Sequence, residues 1–428
     1  MGYIPAPYGI LEQTGMLEPG CWLEVNADGQ VSRGQYYTFP VYRTPDLFGD
    51  EAYEAVDAAV TDAVHRQMIS DVPLGTFLSG GIDSPLVAAK TVGNGATSLQ
   101  AFTIGTGGSD LDESGDAARY AEALGLSHVV EHYTPEMALS SLDNVVDACG
   151  EPFADYSIFP TMLVSAMARR NVTVMLSGDG GDELFWGYAK RFGSVVSRSE
   201  LFRQPYWLRS GRRVTQRLVG SNADYAALRW PTVGDWFQSM HTRLGDPVLN
   251  KIFTGFPTWP NEYGQFHFAS WQQDETAQWL RWNESTGHLT RVLLKVDRAS
   301  MYHSLEVRVP LLDREVVEVA SRVDWRSCLD LETAVGKLPL RRALVRHVGF
   351  QTQAKRGFSI PMDEWLRGPL QPVFRDKVLS RRDILGLPVN TPVLTGLFED
   401  HLSGRADYSR WLWTLLSLVL WNERYLQR

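Results

Sequence analysis

The sequence predicts an α/β protein whose parallel sheet is covered by helices on both faces, followed by a mostly helical C-terminal half. Three observations support this fold class. Short apolar segments alternate with segments of helical periodicity up to about residue 192. Strands that alternate with helices imply crossover units, which build a parallel sheet buried on both faces. Beyond residue 192 the pattern becomes mostly helical and rich in Trp and Arg.

The predicted elements follow one another with clear boundaries. Residues 1–45 contain turn signals such as Glu18-Pro19-Gly20 around a strand-like run at 21–25, which predicts a small separate β element. Pro85 suits the first turn of a helix, and Gly125 is a typical helix C-cap. Between residues 46 and 192 we predict a helix at 51–68, a strand at 74–78, a helix at 85–90, a strand at 98–104, a helix at 112–124, a strand at 128–133, a helix at 135–148 and a strand at 172–176.

Composition excludes several classes of protein. The 428 residues include 44% hydrophobic and 21% charged residues, which argues against intrinsic disorder. The 41 basic and 50 acidic residues give a net charge of −9, so we expect no nucleic-acid partner. The three cysteines are far apart, which argues against a disulfide framework and a structural zinc site. The sequence therefore predicts a reducing, cytoplasmic location.

The sequence predicts no membrane association. Its N-terminus lacks the basic and apolar segments of a signal peptide. The most apolar stretch, residues 411–421, is shorter than the roughly 20 residues that a membrane span requires. We predict that this stretch forms a buried core helix.

The strongest chemical signal is the segment Ser79-Gly80-Gly81-Ile82-Asp83-Ser84. It lies between a predicted strand and a predicted helix, where backbone N–H groups and the helix dipole bind phosphate. The serines supply hydroxyl groups, and Asp83 supplies an oxygen ligand suited to Mg²⁺. The segment contains no lysine, which excludes the GxxxxGK[ST] type of phosphate loop. An ordinary strand-to-helix turn is the alternative.

A second signal follows the predicted strand at 172–176. Residues 177–183 contain three glycines and the carboxylates Asp179, Asp182 and Glu183. Acidic residues at a helix start also occur simply as complements of the helix dipole. However, both segments fall at the carboxyl edge of the predicted sheet. Asp83 and Asp182 are therefore expected to share one Mg²⁺–pyrophosphate assembly.

Together the two segments resemble the ATP-pyrophosphatase synthetase domain of the asparagine synthetase B family, whose relatives include β-lactam synthetases and lasso-peptide cyclases. Residues 297–313, 336–341 and 354–361 extend the resemblance, which spans roughly residue 46 to the C-terminus. It implies the PP-loop fold, similar to adenine-nucleotide alpha hydrolases. It also implies ATP and Mg²⁺ as cofactors.

The resemblance also implies roles for individual residues. Lys355 corresponds to a lysine that faces the reacting groups, Asp179 to an acidic position of the second half-reaction, and Glu113 to a polar wall residue. A surface lysine and a first-turn helix acid are the alternatives for Lys355 and Glu113. Asp83 and Asp182 would hold the metal. The implied ATP-binding residues are Leu78, Ser79, Gly80, Gly81, Asp83, Ser84, Phe102, Ile104, Ser177 and Gly178.

The chemistry of amide formation agrees with these roles. A carboxylate that attacks the α-phosphorus of ATP gives an acyl-adenylate and pyrophosphate, whose charge Mg²⁺ and N–H groups stabilise. An amine then attacks the acyl carbon beside a positive group, for which Lys355 is the candidate. Asp179 is the candidate to accept the proton of the amine.

The chain departs from the family at its start. Glutamine-dependent members carry a nucleophilic cysteine after Met1, whereas Gly2 stands here, and residues 1–45 resemble only the tail of the glutaminase domain. Gln353 stands where many members have arginine. We expect a glutaminase-like remnant at 1–45 and a synthetase domain at 46–428. The latter divides into a nucleotide core at 46–192 and a helical extension at 193–428 that completes the active site.

These observations predict an ATP-dependent ligase that converts aspartate or a similar carboxylic acid to its amide. The nitrogen source is free ammonia, an organic amine or a separate glutaminase subunit, and a homodimer is one expected assembly. A specialised amide, lactam or isopeptide synthetase is the first alternative. A nucleotide-binding pseudo-enzyme without turnover is the alternative from another class.

Overall fold

The computed structural model describes residues 2–40, 44–106, 112–211, 227–242, 246–255, 264–352 and 360–427. The N-terminal part forms an antiparallel hairpin of strands β1 (Cys21–Val25) and β2 (Val31–Gln35). This hairpin is separate from the main sheet, and its apolar residues Leu23, Val25 and Val31 are exposed. The assignment of residues 1–45 to a glutaminase-like domain stays a prediction.

The described residues form a five-stranded parallel sheet, which confirms the predicted fold class. Its spatial order is β5-β4-β3-β6-β7. The chain therefore runs outward from β3 to β5 and then returns to place β6 on the other side of β3. Ligands of such sheets bind where the strand order reverses. The strands are β3 (Leu74–Phe77), β4 (Gln100–Gly105), β5 (Ser127–His132), β6 (Val174–Leu176) and β7 (Glu306–Arg308).

Helices occupy most of the remaining described chain. The first seven are α1 (Gly49–Gln67), α2 (Asp83–Gly93), α3 (Ser114–Leu124), α4 (Pro135–Cys149), α5 (Ile158–Arg169), α6 (Gly181–Leu184) and α7 (Ala189–Arg198). Later helices span Val233–His241, Asp246–Ile252, Gln273–Asn283, Leu289–Tyr302, Arg314–Arg322, Leu338–Val348, Met362–Arg367, Gln371–Phe374, Thr391–Leu402 and Ser409–Tyr425. Strands β8 (Asp383–Ile384) and β9 (Leu387–Pro388) form a short antiparallel hairpin.

Side chains on the two faces of the sheet belong to different apolar clusters. On β4, Ala101 belongs to the same buried cluster as Val56 of α1 and Leu86 of α2, whereas Phe102 belongs to the cluster that contains Val145 of α4 and Ile158 of α5. Successive residues of a strand point to opposite faces, so both faces of this sheet are buried under helices.

The C-terminal helix Ser409–Tyr425 lies in the second cluster, where Trp413 and Leu416 are buried, as expected for residues 411–421. Within the described ranges, no helix combines the length and the apolar character that crossing a membrane requires.

Two elements of the core were not predicted. Strand β7 was missed because its three residues include Glu306 and Arg308, whose charges do not suggest a strand. Arg308 donates to the carbonyl oxygens of Gln67 and Ile69 at 2.8 and 2.6 Å and pairs with Glu306 at 2.6 Å. This arrangement fixes the edge strand. Helix α5 was missed because it is apolar on nearly all sides and lacks helical periodicity.

Candidate functional site

The first predicted turn joins β3 to α2, and its backbone N–H groups converge on polar side chains. Ser79 N donates to Ser84 Oγ at 2.9 Å, and Gly81 N donates to Ser79 Oγ at 3.2 Å. Gly80 N donates to Oε2 of Glu113 at 3.2 Å. All three acceptors are side-chain oxygens of the chain itself. The turn therefore presents several N–H donors at one helix start, which suits phosphate.

The second turn joins β6 to α6 and lies directly against the first. A Cβ atom built on Gly178 would come within 2.5 Å of Ser84 N, and one built on Gly181 within 2.5 Å of Asp83 Oδ1. Only glycine permits this approach. The hydroxyl of Ser177 donates to the carboxylate of Asp179. Because β3 and β6 are neighbours in the sheet, the structure brings together the two segments that the sequence placed only at the same edge.

Lys337 connects the two turns, and the sequence analysis gave this residue no role. Its Nζ atom forms an ion pair with Asp83, and it lies 2.9 Å from Oδ1 of Asp182. Burial opposes the positive charge, but the two carboxylates outweigh this effect and raise the pKa of Lys337. The lysine is thus charged and almost fully buried. The available signal was its place in the family-like stretch at 336–341.

The predicted ATP-binding residues lie around one cavity of about 810 Å³. Phe102 and Ile104 form an apolar wall together with Pro160 and Val164. Glu113 lines this cavity, and its carboxylate accepts a hydrogen bond from N of Gly80 in the first turn. Lys355 lies outside the described residues. The cavity is lined by each of the predicted residues Leu78, Ser79, Gly80, Gly81, Asp83, Ser84, Phe102, Ile104, Glu113, Ser177, Gly178, Asp179 and Asp182.

The carboxylates of Asp83 and Asp182 suit a magnesium ion in their chemistry. Both approach the same ammonium group, so their oxygens converge on one small volume at the mouth of the two turns. Magnesium is held in proteins by one or two carboxylates together with water and phosphate oxygens. In the described part of the chain, no group of three or more His, Cys, Asp or Glu residues is arranged for a metal.

A side chamber of about 640 Å³ adjoins the main cavity. Five residues line both spaces, namely Asp182, Tyr188, Arg191, Val292 and Lys295. The remaining lining of the side chamber comes mainly from the helical half of the chain and from Tyr3 near the N-terminus.

A chain of buried polar groups stands at the common wall. Arg291 has no acceptor, so its contact of 3.0 Å with Nδ1 of His288 makes that nitrogen the acceptor. Neutral His288 then donates from Nε2 to the hydroxyl of Tyr188 at 3.1 Å, and Tyr188 donates to Glu183 at 2.7 Å. Burial, with the charge of Asp182, raises the pKa of Glu183 to about 8. This network holds Tyr188 in place.

We expect the stability of the protein to fall below neutral pH in part because of His288. Burial, followed by the charge of Arg291, lowers the pKa of His288 to about 3. Between about pH 6.5 and 3 the unfolded chain binds a proton that the folded chain does not, so unfolding becomes easier as pH falls. This group contributes a slope of about 1.4 kcal/mol per pH unit in the window.

His288→Gln should reduce that slope in urea unfolding measured at pH 7, 6, 5 and 4. The exposed His65→Gln is the control and should keep the slope of the wild type. Equal slopes for the wild type and His288→Gln would contradict the assignment.

The fold and the cavity define a class: an α/β protein with a glycine-rich strand-to-helix turn at the switch point of a parallel sheet. The sequence model of the family described as "Asparagine synthase" matches residues 55–423. The chain therefore belongs to the asparagine synthase family.

Relatives in several organisms agree with this membership. A "Putative asparagine synthetase [glutamine-hydrolyzing]" of Mycobacterium bovis is 29% identical over 450 residues, covering 99% of this chain and 66% of the relative. "Asparagine synthetase [glutamine-hydrolyzing] 1" of Bacillus subtilis is 27% identical, covering 100% of this chain and 68% of the relative. A "Putative asparagine synthetase [glutamine-hydrolyzing] 2" of Methanocaldococcus jannaschii is 38% identical over 44% of the chain. The chain thus spans about two thirds of the length of its first relatives.

Proposed function

We propose that this chain is an ATP-dependent carbon–nitrogen ligase that activates a carboxylic acid as its adenylate and then forms an amide. The observation that carries the proposal is the junction of the two turns. Residues 79–84 and 177–182 come from neighbouring strands, and their carboxylates converge beside a cluster of N–H donors. Membership of the asparagine synthase family supports the same enzyme class.

The two parts of the main cavity differ in chemistry and suit the two ends of ATP. The apolar wall of Phe102 and Ile104 suits adenine, whereas the N–H groups of the first turn suit the pyrophosphate end. In this orientation, phosphate oxygens replace Glu113 and the serine hydroxyls as acceptors of the turn. Asp83 and Asp182 would hold Mg²⁺, which neutralises the charge that develops on the leaving pyrophosphate.

The residues of the chain support two successive steps. In the first, a carboxylate oxygen of the acid bonds to the α-phosphorus while the bond to the β-phosphate breaks, and pyrophosphate leaves with its charge facing the first turn. In the second, the nitrogen of ammonia or an amine bonds to the acyl carbon, and AMP leaves. Asp179, fixed by its hydrogen bond from Ser177, is the proposed acceptor of the proton released by nitrogen.

The identity of the acid and of the nitrogen source belongs to this proposal. Aspartate is the leading acid and ammonia the leading nitrogen source, because relatives are named asparagine synthetases. The exposed apolar residues of the β1–β2 hairpin would suit contact with a glutaminase domain or subunit. A synthetase that uses an organic amine is the second candidate, favoured by the size of the side chamber.

Exchange of labelled pyrophosphate into ATP tests the proposal. Exchange requires reversible formation of the adenylate, so it should depend on a carboxylic acid. Exchange with aspartate supports the asparagine synthetase activity, and exchange with another acid supports a specialised synthetase. A complete absence of exchange across a panel of acids, or release of ADP and orthophosphate, would overturn the proposal.

Lys355→Ala should abolish amide formation. We propose that the ammonium group of Lys355 stabilises the negative oxygen that forms on the acyl carbon, so its loss should lower the rate of product formation about a hundredfold or more. The adjacent Arg356→Ala is the control and should retain most of the activity. Product measured by chromatography at a rate close to that of the wild type would contradict this role.

A further inference from the structure

Two carbonyl oxygens of the first turn accept hydrogen bonds from threonine residues that lie outside the turn. Thr103, on β4, donates from its hydroxyl group to the carbonyl oxygen of Leu78 at 2.7 Å. The hydroxyl group of Thr352 donates to the carbonyl oxygen of Gly80. The two threonines are only 4% and 7% exposed. Because buried backbone carbonyl groups need hydrogen-bond partners, these contacts fix the orientation of two peptide groups in the turn.

Each threonine is itself fixed by a residue of a neighbouring element. A carbonyl oxygen has no hydrogen to donate, so Thr103 uses its one hydroxyl hydrogen on Leu78 and accepts from Nε2 of His128, on β5, at 2.7 Å. The backbone N–H of Thr352 donates to the hydroxyl oxygen of Tyr120, on α3, at 2.9 Å. Both hydroxyl hydrogens are therefore committed to the turn, and neither threonine has a hydroxyl hydrogen left for a ligand.

The geometry of the peptide bond transmits this constraint to the N–H groups of the turn. In a planar trans peptide, the C=O of one residue and the N–H of the next point in opposite directions. Leu78 and Ser79 share one such peptide, and Gly80 and Gly81 share another. The N–H groups of Ser79 and Gly81 donate to the hydroxyls of Ser84 and Ser79, which line the main cavity. Fixing the two carbonyl oxygens therefore directs both N–H groups to the cavity.

The peptide between Gly80 and Gly81 depends most on this constraint. Glycine adopts positive and negative φ about equally well, so a peptide between two glycines can flip at little cost. A flipped peptide would turn the carbonyl oxygen of Gly80 toward the cavity, where it would repel a phosphate group. It would also leave the hydroxyl of Thr352 without its acceptor in a buried place. The hydrogen bond from Thr352 therefore favours the orientation in which the peptide donates to the cavity.

We propose that Thr352 and Thr103 are positioning residues for the pyrophosphate end of ATP, because they orient the N–H donors of Gly81 and Ser79. This inference rests on the proposed function and adds the residues that prepare its phosphate site. Donors that are already oriented lose less free energy when they bind a ligand. Loss of either hydroxyl should therefore weaken the contact with pyrophosphate and leave the contact with adenosine unchanged.

Two nucleotides separate the pyrophosphate end from the rest of the ligand. MgATP carries the pyrophosphate group and AMP lacks it, but both contain adenosine. Binding to the full chain is measured by calorimetry. Thr352→Val keeps the branched shape of the side chain but removes the hydroxyl, so it should weaken MgATP about tenfold and AMP by less than about twofold. Thr103→Val should show the same selective loss, whereas Thr352→Ser keeps the hydroxyl and should bind both nucleotides as the wild type does.

Pyrophosphate exchange supplies an independent kinetic measurement. In Thr352→Val the KM for pyrophosphate should rise about tenfold, while the KM for the acid stays unchanged. Thr91→Val is the matched control. Thr91 is buried and donates to the carbonyl oxygen of Val87 within α2 at 2.7 Å, and it lines neither cavity. This control should keep the MgATP affinity and both KM values of the wild type.

The outcomes distinguish this inference from the proposed function. Equal weakening of MgATP and AMP in Thr352→Val shows only a structural defect and overturns the inference, as does an unchanged MgATP affinity, while the ligase activity stands. Thr103→Val decides in the same way if Thr352→Val does not fold. Selective loss of MgATP affinity without acid-dependent exchange in the wild type supports the positioning role and overturns the ligase activity. A wild type that binds no MgATP overturns both.

Discussion

Replacing Asp83 by asparagine should lower acid-dependent pyrophosphate exchange by about a hundredfold to a thousandfold. The substitution keeps the shape of the side chain but removes a negative oxygen from the place where Asp83 and Asp182 converge. The proposed magnesium ion of MgATP would then lose one of its two carboxylate ligands from the protein. The effect should be measured as the exchange rate at saturating aspartate and ATP, together with the affinity for MgATP.

Asp62→Asn is the matched control for this experiment. Asp62 lies on α1 and is exposed, so its substitution should leave the exchange rate unchanged. If Asp83→Asn exchanges pyrophosphate as fast as the control, the two turns are not the site of adenylation.

Replacing Lys337 by methionine should destabilise the protein and also inactivate it. The ammonium group of Lys337 compensates two carboxylates in a region where its own side chain is only 5% exposed. Removing one partner of a buried ion pair leaves uncompensated charge and costs about 3 kcal/mol or more. Urea unfolding at pH 7 should show this loss, and pyrophosphate exchange should fall because Asp83 and Asp182 repel each other and separate.

Lys90→Met distinguishes the two effects of Lys337. Lys90 is 4% exposed and pairs with Asp57 at 2.5 Å, away from both cavities. Its substitution should lower the free energy of unfolding but leave the exchange rate of the folded protein intact. If Lys337→Met and Lys90→Met lose stability and activity in the same proportion, Lys337 has only a structural role.

The alternation of strands and helices could be predicted from the sequence because the spacing of apolar residues differs between the two kinds of element. The predicted strand at 74–78 and helix at 135–148 differ by a single residue from β3 and α4. Helix α2 begins at Asp83, two residues before the predicted start, because the turn leads directly into the helix. Asp313, which lies beyond the edge strand β7, pairs with Arg66 of α1 at 2.8 Å, a contact that no local pattern indicated.

The sequence by itself determined the alternating fold and both glycine-rich turns, since these features depend on residues that are close together in the chain. The tertiary structure alone decided that β6 lies beside β3, that Lys337 joins Asp83 to Asp182, and that Asp155 and Lys295 share a chamber with Asp182. These relations link residues that belong to different elements and, in most cases, are about 100 or more positions apart in the chain. Their geometry depends on how the sheet and helices pack, which no local pattern of residues specifies.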